Sequence, residues 1–258
     1  MEAKDRISVV INTYNAEKFL AQVLESVKDF DEVVVCDMES TDRTLEIARQ
    51  YGCKIVTFPK ADHVSAEPAR TFAIQSASCH WVLVVDADEL VTPQLRDYLY
   101  QKISQPDCPE GLYIPRRNRV MNKLEKGRLR AYQLRFFIRE GTIWPPYVHT
   151  FPKVNGRVER MNDGNEQTIL IHLDENYVYD KIEKFNRYSN NEVKKRAGKR
   201  YGVAALFYRP AWRFFKSYVM DESYKNGVAG LINSMNEGFY QFMIVAKVIE
   251  DRIKKSQQ

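Results

Sequence analysis

The fold of this chain is decided by residues 81–89, which read Trp81-Val82-Leu83-Val84-Val85-Asp86-Ala87-Asp88-Glu89. The first five residues are apolar without alternation, which is typical of a strand buried on both faces of a parallel sheet. Three carboxylates follow where that strand ends. Ligands of open α/β proteins bind beyond the carboxyl ends of parallel strands, so this stretch predicts a fold and a site together.

Three more strands are predicted upstream, each followed by polar residues and then a helical segment. They cover Ile7–Ile11, Val33–Cys36 and Lys54–Phe58. Asn15 and residues 40–42 offer oxygens to cap the first two helices, and Thr92 with Pro93 begins a later one. Successive strand–helix units predict a parallel sheet with helices on both faces.

The second half of the chain has a different pattern. Short alternating segments between residues 111 and 173 are separated by glycine turns, which predicts an antiparallel extension of the sheet. The remainder is helical in pattern, with breaks expected near Gly198, Gly202 and Pro210. We therefore expect one domain with two halves and a C-terminal helical extension, at residues 1–100, 101–175 and 176–258.

Composition excludes several classes of protein. The 258 residues carry a formal charge of +5, which does not argue for a nucleic-acid partner. The four cysteines form no C-x-x-C pair, so a zinc knuckle is not expected and a reducing compartment fits. The N-terminus has no signal-peptide pattern, and no apolar run is long enough for a transmembrane helix. We expect a cytoplasmic protein.

The carboxylates after the fourth strand indicate a metal site. Asp86, Asp88 and Glu89 would repel one another, and a divalent cation, Mg²⁺ or Mn²⁺, is the readiest way to neutralise them. Such an ion can also bind a diphosphate and stabilise its charge. The alternative is a solvated acidic turn at the start of a helix.

A second candidate follows the second strand, at residues 37–42 (Asp37-Met38-Glu39-Ser40-Thr41-Asp42). The last three of these residues can cap the next helix. Asp37 comes too early to cap, which leaves its carboxylate to accept hydrogen bonds from a nucleobase or a ribose hydroxyl. The alternative is that the whole segment only caps the next helix.

Four segments in the same order and spacing resemble family 2 of the inverting glycosyltransferases, which have the GT-A fold, an α/β architecture. They are Ile11–Asn15, Asp37–Asp42, Arg70 and Asp86–Glu89, and the resemblance covers about residues 5–175. The Asp-Ala-Asp-Glu form, Gln133–Phe137 and the pair Ile171-His172 are similar to bacterial enzymes that glucosylate the lipopolysaccharide core.

The resemblance implies how a UDP-sugar such as UDP-glucose would bind. Thr13 and Tyr14 would line the nucleotide pocket, and Asp37 would contact the base or ribose. Arg70 would lie near the nucleotide, and Asp86 would face the ribose.

The resemblance also implies the metal ligands. Asp88, the second aspartate of the D-x-D motif, would hold the cation that bridges the two phosphates. His172 would be a further metal or phosphate contact; the alternative is a histidine at a strand end whose hydrogen bonds go to the backbone.

One departure concerns the general base of inverting transfer, which takes the acceptor's proton. The core glucosyltransferases typically show Val-His-Glu, whereas this chain has Val148-His149-Thr150. Threonine cannot do this at neutral pH, but His149 can. Glu140 or Asp163 are alternatives, and so is an inactive homologue.

The expected function is transfer of one hexose, with inversion, from a UDP-sugar to a glycan or glycolipid hydroxyl in bacterial lipopolysaccharide or cell-surface glycan synthesis. The alternative is a silent protein that binds nucleotide sugars. A nucleotidylyltransferase would need a glycine-rich loop, and residues 12–16 contain no glycine. The aromatic and basic C-terminal helices are expected chiefly to pack within the protein, and they also suit peripheral attachment to the inner face of the inner membrane.

Overall fold

The protein is described by a computed structural model that covers residues 6–256, apart from Val64, Asn122, Arg128, Arg130, Val148, His149, residues 174–177 and Ala197. It divides into two compact units. The first comprises Met1–Asn118 and Leu129–Leu173, and the second comprises Arg119–Arg128 and Asp174–Gln258. No helix in the described part of the chain is both long and apolar enough to cross a membrane.

The first unit is built on one large sheet. Its strands are β1 (Ile7–Thr13), β2 (Glu32–Asp37), β3 (Lys54–Thr57), β4 (Trp81–Asp86), β5 (Glu89–Val91), β6 (Gly111–Val120), β8 (Ala131–Ile138), β9 (Val158–Arg160) and β10 (Leu170–His172). The spatial order is β3-β2-β1-β4-β8-β6-β10-β5, and β9 pairs with β6. A short strand, β7 (Lys123–Leu124), pairs with the last two residues of β6, which belong to the second unit.

Helices follow the strands as the pattern predicts. In the first unit they are α1 (Glu17–Val27), α2 (Thr44–Gln50), α3 (Glu67–Gln75) and α4 (Pro93–Ile103). The strands β1 to β4 run parallel, and both faces of β1 and β4 are buried in two apolar clusters. The apolar runs of these strands are continuous because both faces of the sheet are covered.

The capping predictions had mixed outcomes. Thr92 caps α4 as expected, because its side chain accepts a hydrogen bond from the Leu95 amide at 3.3 Å. Asn15 does not cap α1, which begins after Ala16. Asn15 has a positive φ of 48°, and its side-chain oxygen instead accepts a bond from the Thr41 amide at 2.8 Å. Asparagine tolerates this left-handed conformation better than most residues. Asn15 therefore links the loop after β1 to the loop after β2 and does not cap a helix.

The predicted antiparallel extension is correct for β6, β7 and β8 but not for every strand of this part of the chain. β8 runs antiparallel to both β4 and β6, as expected. β9 and β10 both pair with β6 in parallel, and β5 then pairs with β10 in the antiparallel sense. The alternation in these segments predicted strands, but strand direction depends on long connections that a local pattern does not describe.

The second unit contains three long helices, α5 (Val178–Lys195), α6 (Ala205–Phe215) and α7 (Gly227–Ser256). The break predicted near Pro210 is wrong, because Pro210 lies inside α6. A Cβ at Gly238 of α7 would come within 3.1 Å of the Pro210 carbonyl oxygen, so a glycine is needed where the two helices approach.

A partly buried carboxylate at the amino ends of the strands gives a test of the fold. The Asp31 carboxylate accepts hydrogen bonds from the Tyr100 hydroxyl at 2.7 Å and the Ile7 amide at 2.9 Å. Burial alone would raise the pKa of Asp31, but these bonds and Arg6 outweigh it and hold that pKa below its ordinary value.

Tyr100→Phe is expected to lower the free energy of unfolding by about 1.5–3 kcal/mol at neutral pH, since a bond to a charged group is lost. Because the folded pKa of Asp31 is depressed, the difference from the wild type should shrink as pH falls below about 4. Urea unfolding at two pH values measures both effects. Tyr98→Phe, on the same helix but with no bond to Asp31, is the control; equal losses in both variants would contradict the assignment.

Candidate active site

The polar residues predicted to meet at one edge of the sheet do so. β1 pairs with β2 so that Thr13 lies opposite Asp37, and β1 pairs with β4 so that Asn12 lies opposite Asp86. These are the carboxyl ends of parallel strands, where the polypeptide leaves the sheet and an open surface forms. Tyr14 follows directly, with a half-exposed ring 4.8 Å from the Lys60 ammonium.

Asp37 is not left unpaired, as the sequence suggested it would be. It is 1% exposed, and its oxygens accept hydrogen bonds from the Thr13 hydroxyl and the Ser40 amide, both at 2.8 Å, and from the Ser40 hydroxyl. The carboxylate therefore fixes Thr13 and the loop after β2. Direct contact of Asp37 with a base or ribose stays a prediction.

Asp37→Ala is expected to reduce the free energy of unfolding by about 1–3 kcal/mol, because the Thr13 hydroxyl and the Ser40 amide would lose their buried acceptor. Urea denaturation measures the change. Asp62→Ala, at an exposed aspartate, is the control and should be neutral. Unchanged stability with weaker nucleotide binding would contradict this structural role and favour a direct ligand contact.

Arginines neutralise two of the three carboxylates after β4. Arg70 on α3 donates to Asp86 Oδ1 at 2.7 Å, and Arg135 on β8 donates to Asp86 Oδ2. Burial alone would raise the pKa of Asp86, but the two guanidinium groups hold it well below its usual range. The expectation that a divalent cation is the readiest way to neutralise all three carboxylates therefore does not hold for Asp86, which two arginines neutralise.

Glu89 is also paired with arginine. It is fully buried, and its Oε1 lies 3.1 Å from Arg116 Nη1 and 3.7 Å from Arg135 Nη2. Its other oxygen accepts the Asp86 amide at 3.1 Å, which fixes the turn after β4. A signal for these partners existed in the sequence, since an arginine inside the apolar run Leu134–Phe137 needs a buried acid.

Trp144 covers the arginine pair. Its ring centroid is 4.5 Å from the Arg70 guanidinium carbon and 5.6 Å from that of Arg135, and its backbone is held by the Thr71 hydroxyl. Several buried polar atoms here have no hydrogen-bond partner within the described residues: the Asn12 amide, Nε and Nη1 of both arginines, and Trp144 Nε1. Buried donors without acceptors are costly, which indicates a site that a polar, anionic ligand completes.

Asp88 is the carboxylate of this cluster that contacts His172 instead of an arginine, so these two side chains are the candidates for binding a cation. The Asp88 side chain is 44% exposed, and its Oδ2 lies 3.3 Å from His172 Nε2. The two are brought together by β10, whose His172 lies opposite Glu89 of β5. Burial would lower the pKa of His172, but the Asp88 carboxylate outweighs this and raises it above its ordinary value.

These two side chains fit a cation shared with a ligand. No cluster of three or more His, Cys, Asp or Glu groups suited to a metal occurs among the residues the structure describes. Mg²⁺ and similar ions are commonly bound by one or two carboxylates, with substrate phosphates and waters completing the shell. One carboxylate and one imidazole match the protein's share of such a site.

The candidates for the general base separate by position. His149 lies outside the described residues, and the neighbouring Thr150 hydroxyl bonds to backbone carbonyls at Pro145 and Tyr147. Glu140 contacts His80 Nδ1 at 2.9 Å, at the amino end of β4. Asp86 lies six positions after His80 along extended chain, which is about 20 Å. Glu140 is therefore too far away to act at the same reaction centre.

Comparison with known proteins agrees with this geometry. The family model described as "Glycosyl transferase family 2" matches residues 8–209. The chain belongs to glycosyl transferase family 2. The arginine-bound aspartate and the Asp88–His172 pair thus lie in a family 2 transferase.

The similarity to relatives extends over nearly the whole length of this transferase. It is 27% identical over 97% of its length to the lipopolysaccharide core biosynthesis glycosyltransferase LpsC of Rhizobium meliloti, and covers 94% of that protein. It is 26% identical over 97% of its length to an uncharacterized glycosyltransferase of Rickettsia felis, and covers 92% of it. The resemblance to lipopolysaccharide core enzymes is confirmed at this level.

Solved structures confirm the fold. Staphylococcus aureus TarS 1-349 in complex with UDP superimposes with a TM-score of 0.53 at 14% identity, over 97% of this chain and 92% of that one. The mannosyltransferase PcManGT of Pyrobaculum calidifontis, in complex with GDP-Man and Mn²⁺, gives 0.53 at 15% identity, over 95% and 87%. The predicted GT-A fold, with a mostly parallel sheet, flanking helices and a C-terminal helical part, is confirmed.

Proposed function

We propose that this family 2 transferase moves one hexose from a UDP-sugar to a hydroxyl of a glycan or glycolipid, with inversion, in the synthesis of bacterial lipopolysaccharide or a related surface glycan. The observation that carries this proposal is the contact of the half-exposed Asp88 with the mostly buried His172, beside arginine donors without a partner among the described residues, at the carboxyl edge of the sheet. The likeness to LpsC supports the substrate class, and the UDP-bound TarS supports the nucleotide.

Different residues contact different parts of the donor. Thr13 and Tyr14 line the nucleotide pocket, with Thr13 oriented by Asp37. Arg70 and Asp86, held together at 2.7 Å, lie beside the ribose and diphosphate. Residues 1–100 hold the nucleotide, residues 101–175 face the acceptor, and residues 176–258 form the extension.

Asp88 and His172 would hold a divalent cation, Mn²⁺ or Mg²⁺. PcManGT, with which the fold is shared, was solved with Mn²⁺, which supports this assignment. When bound, the cation supplies positive charge against the departing diphosphate. The chain's own contribution is a fixed carboxylate, whose neighbours Asp86 and Glu89 are already neutralised by arginine.

The acceptor oxygen attacks the anomeric carbon of the donor from the face opposite the phosphate. The bond from that carbon to the phosphate oxygen breaks, the electron pair leaves with the nucleoside diphosphate, and the configuration inverts. His149 takes the acceptor proton, with Asp163, which follows β9, as the alternative. Either group needs to be unprotonated to act.

Thermal shift with a panel of nucleotide sugars, each with and without Mn²⁺, tests the donor. A ligand at about 100 times its Kd should add about 2.7 kcal/mol of stability. We expect stabilisation by UDP-sugars that depends on Mn²⁺; stabilisation by GDP-mannose alone would overturn the nucleotide assignment.

Transfer is then tested with lipopolysaccharide core acceptors, and the anomeric configuration of the product is determined by NMR. Product with retained configuration would overturn inversion. Tight metal-dependent donor binding without transfer or donor hydrolysis would identify a silent nucleotide-sugar-binding homologue instead.

A further inference from the structure

The helix α6 of the second unit presents an apolar face to solvent. Every exposed position between residues 203 and 220 carries an apolar or aromatic side chain. Phe207 is 72% exposed and Trp212 is 58% exposed. The exposed large side chains of this segment are Val203, Phe207, Tyr208, Trp212, Phe215, Val219 and Met220. Their spacing places them on one side of the helix.

The first half of α7 repeats this arrangement. All exposed positions between residues 228 and 242 are apolar, namely Val228, Leu231, Met235, Phe239 and Phe242. Three of them also line a groove of about 390 Å³ between α7 and α6, together with Pro210, Ala211 and Phe214 of α6. The exposed sides of the two helices are therefore continuous, and we call them the apolar face.

The opposite sides of these helices hold the unit together. Ala205, Val245 and Val248 pack with Tyr201 in a small core, and the Ser217 and Ser234 hydroxyls meet at 3.1 Å in a buried contact. These buried contacts do not involve the residues of the apolar face. Exposed apolar patches of this kind mark an interaction surface.

The charges around the apolar face indicate the partner. Residues 199–220 contain five basic side chains and no acidic one: Lys199, Arg200, Arg209, Arg213 and Lys216. Between residues 228 and 242, Glu237 is the single acid, and it pairs with Arg213 at 2.8 Å. Asp221 and Glu222 come only after the basic stretch. An apolar face beside a cationic segment is complementary to a partner that has an anionic outer layer over an apolar interior.

We propose that the apolar face docks this protein on the surface of a bilayer that contains anionic lipid, with the helices lying in the interface. Tryptophan and tyrosine are the side chains that membrane interfaces favour, and α6 exposes one of each. Basic side chains near the surface bind anionic headgroups. A symmetric contact between two copies would instead bring the two basic stretches together. Docking on a bilayer does not depend on which sugar the protein transfers.

Flotation with lipid vesicles tests the docking. The purified full chain should float with vesicles of equal parts phosphatidylglycerol and phosphatidylcholine, and bind vesicles of phosphatidylcholine alone more weakly. The triple variant F207S/W212S/F215S should lose flotation, by about tenfold in affinity for each ring removed from the interface. These rings are exposed, so the variant should keep the wild-type melting temperature and donor-induced thermal shift.

Two further variants sharpen the test. Tyr179→Ser, at a tyrosine of α5 that is 77% exposed, is the matched control and should float as the wild type does. Substituting glutamine for Lys199, Arg200 and Lys216 should weaken binding to the anionic vesicles about fivefold for each charge, and leave binding to phosphatidylcholine unchanged.

Three outcomes would overturn the proposal. The first is a wild type that floats with neither vesicle. The second is a triple aromatic variant that floats as well as the wild type, or a Tyr179→Ser control that loses flotation equally. The third is a wild type that is dimeric without lipid and that the triple variant makes monomeric, which would assign the apolar face to a second copy. Donor-induced thermal shift is recorded in parallel, so failure of docking is distinguishable from failure of donor binding.

Discussion

Asp88→Asn is expected to lower the rate of sugar transfer by about 10³-fold or more, while the protein stays folded. The substitution keeps the shape of the side chain and removes the charge that would hold the cation, whose stabilisation of the departing diphosphate is worth several kcal/mol. Asp88 is half-exposed and its neighbour is His172 at 3.3 Å, so the fold depends little on it. The measurements are the transfer rate and calorimetric titration of UDP with and without Mn²⁺.

Asp97→Asn is the matched control for this variant. Asp97 lies on α4 with a side chain that is 68% exposed, and the same change of charge there should leave transfer unaffected. His172→Gln should reduce the Mn²⁺-dependent part of UDP binding in the same direction as Asp88→Asn. Unchanged Mn²⁺-dependent UDP binding in Asp88→Asn would refute the assignment of Asp88 as the metal ligand.

His149→Ala is expected to reduce kcat by about 10²–10⁴-fold with little effect on the affinity for the donor, because this is the usual contribution of a general base. The wild-type rate should also fall at acid pH, since the protonated imidazole cannot accept the acceptor's proton. Steady-state kinetics across a range of pH, with the donor affinity taken from thermal shift, separates the two effects.

Asp163→Asn is the comparison that decides between the two remaining bases. A large loss of kcat in Asp163→Asn with little change in His149→Ala would move the role to the carboxylate. Thr150→Glu places an acid where the core glucosyltransferases typically carry one, and a rise in rate is expected.

The fold of the first hundred residues was largely predictable from local pattern. The apolar run of β4 followed by its carboxylates, the helix start at Thr92, and the parallel order of β1 to β4 depend on neighbours in the sequence. The directions of β9 and β10 depend on pairing with β6, which is distant in sequence, and both strands run parallel to β6 instead of antiparallel as predicted.

The sequence by itself determined the family, the α/β architecture and the edge of the sheet where the site lies, because strand ends and polar residues can be located from short segments. Only the tertiary structure decided which carboxylates carry a free charge. Asp86 is neutralised by arginines 16 and 49 residues away, and Glu89 by one 27 residues away. Asp88 is left to pair with His172, which β10 brings beside it. Electrostatic energy depends on distances of a few ångströms across strands, and such distances are set by packing between segments that are remote in the sequence.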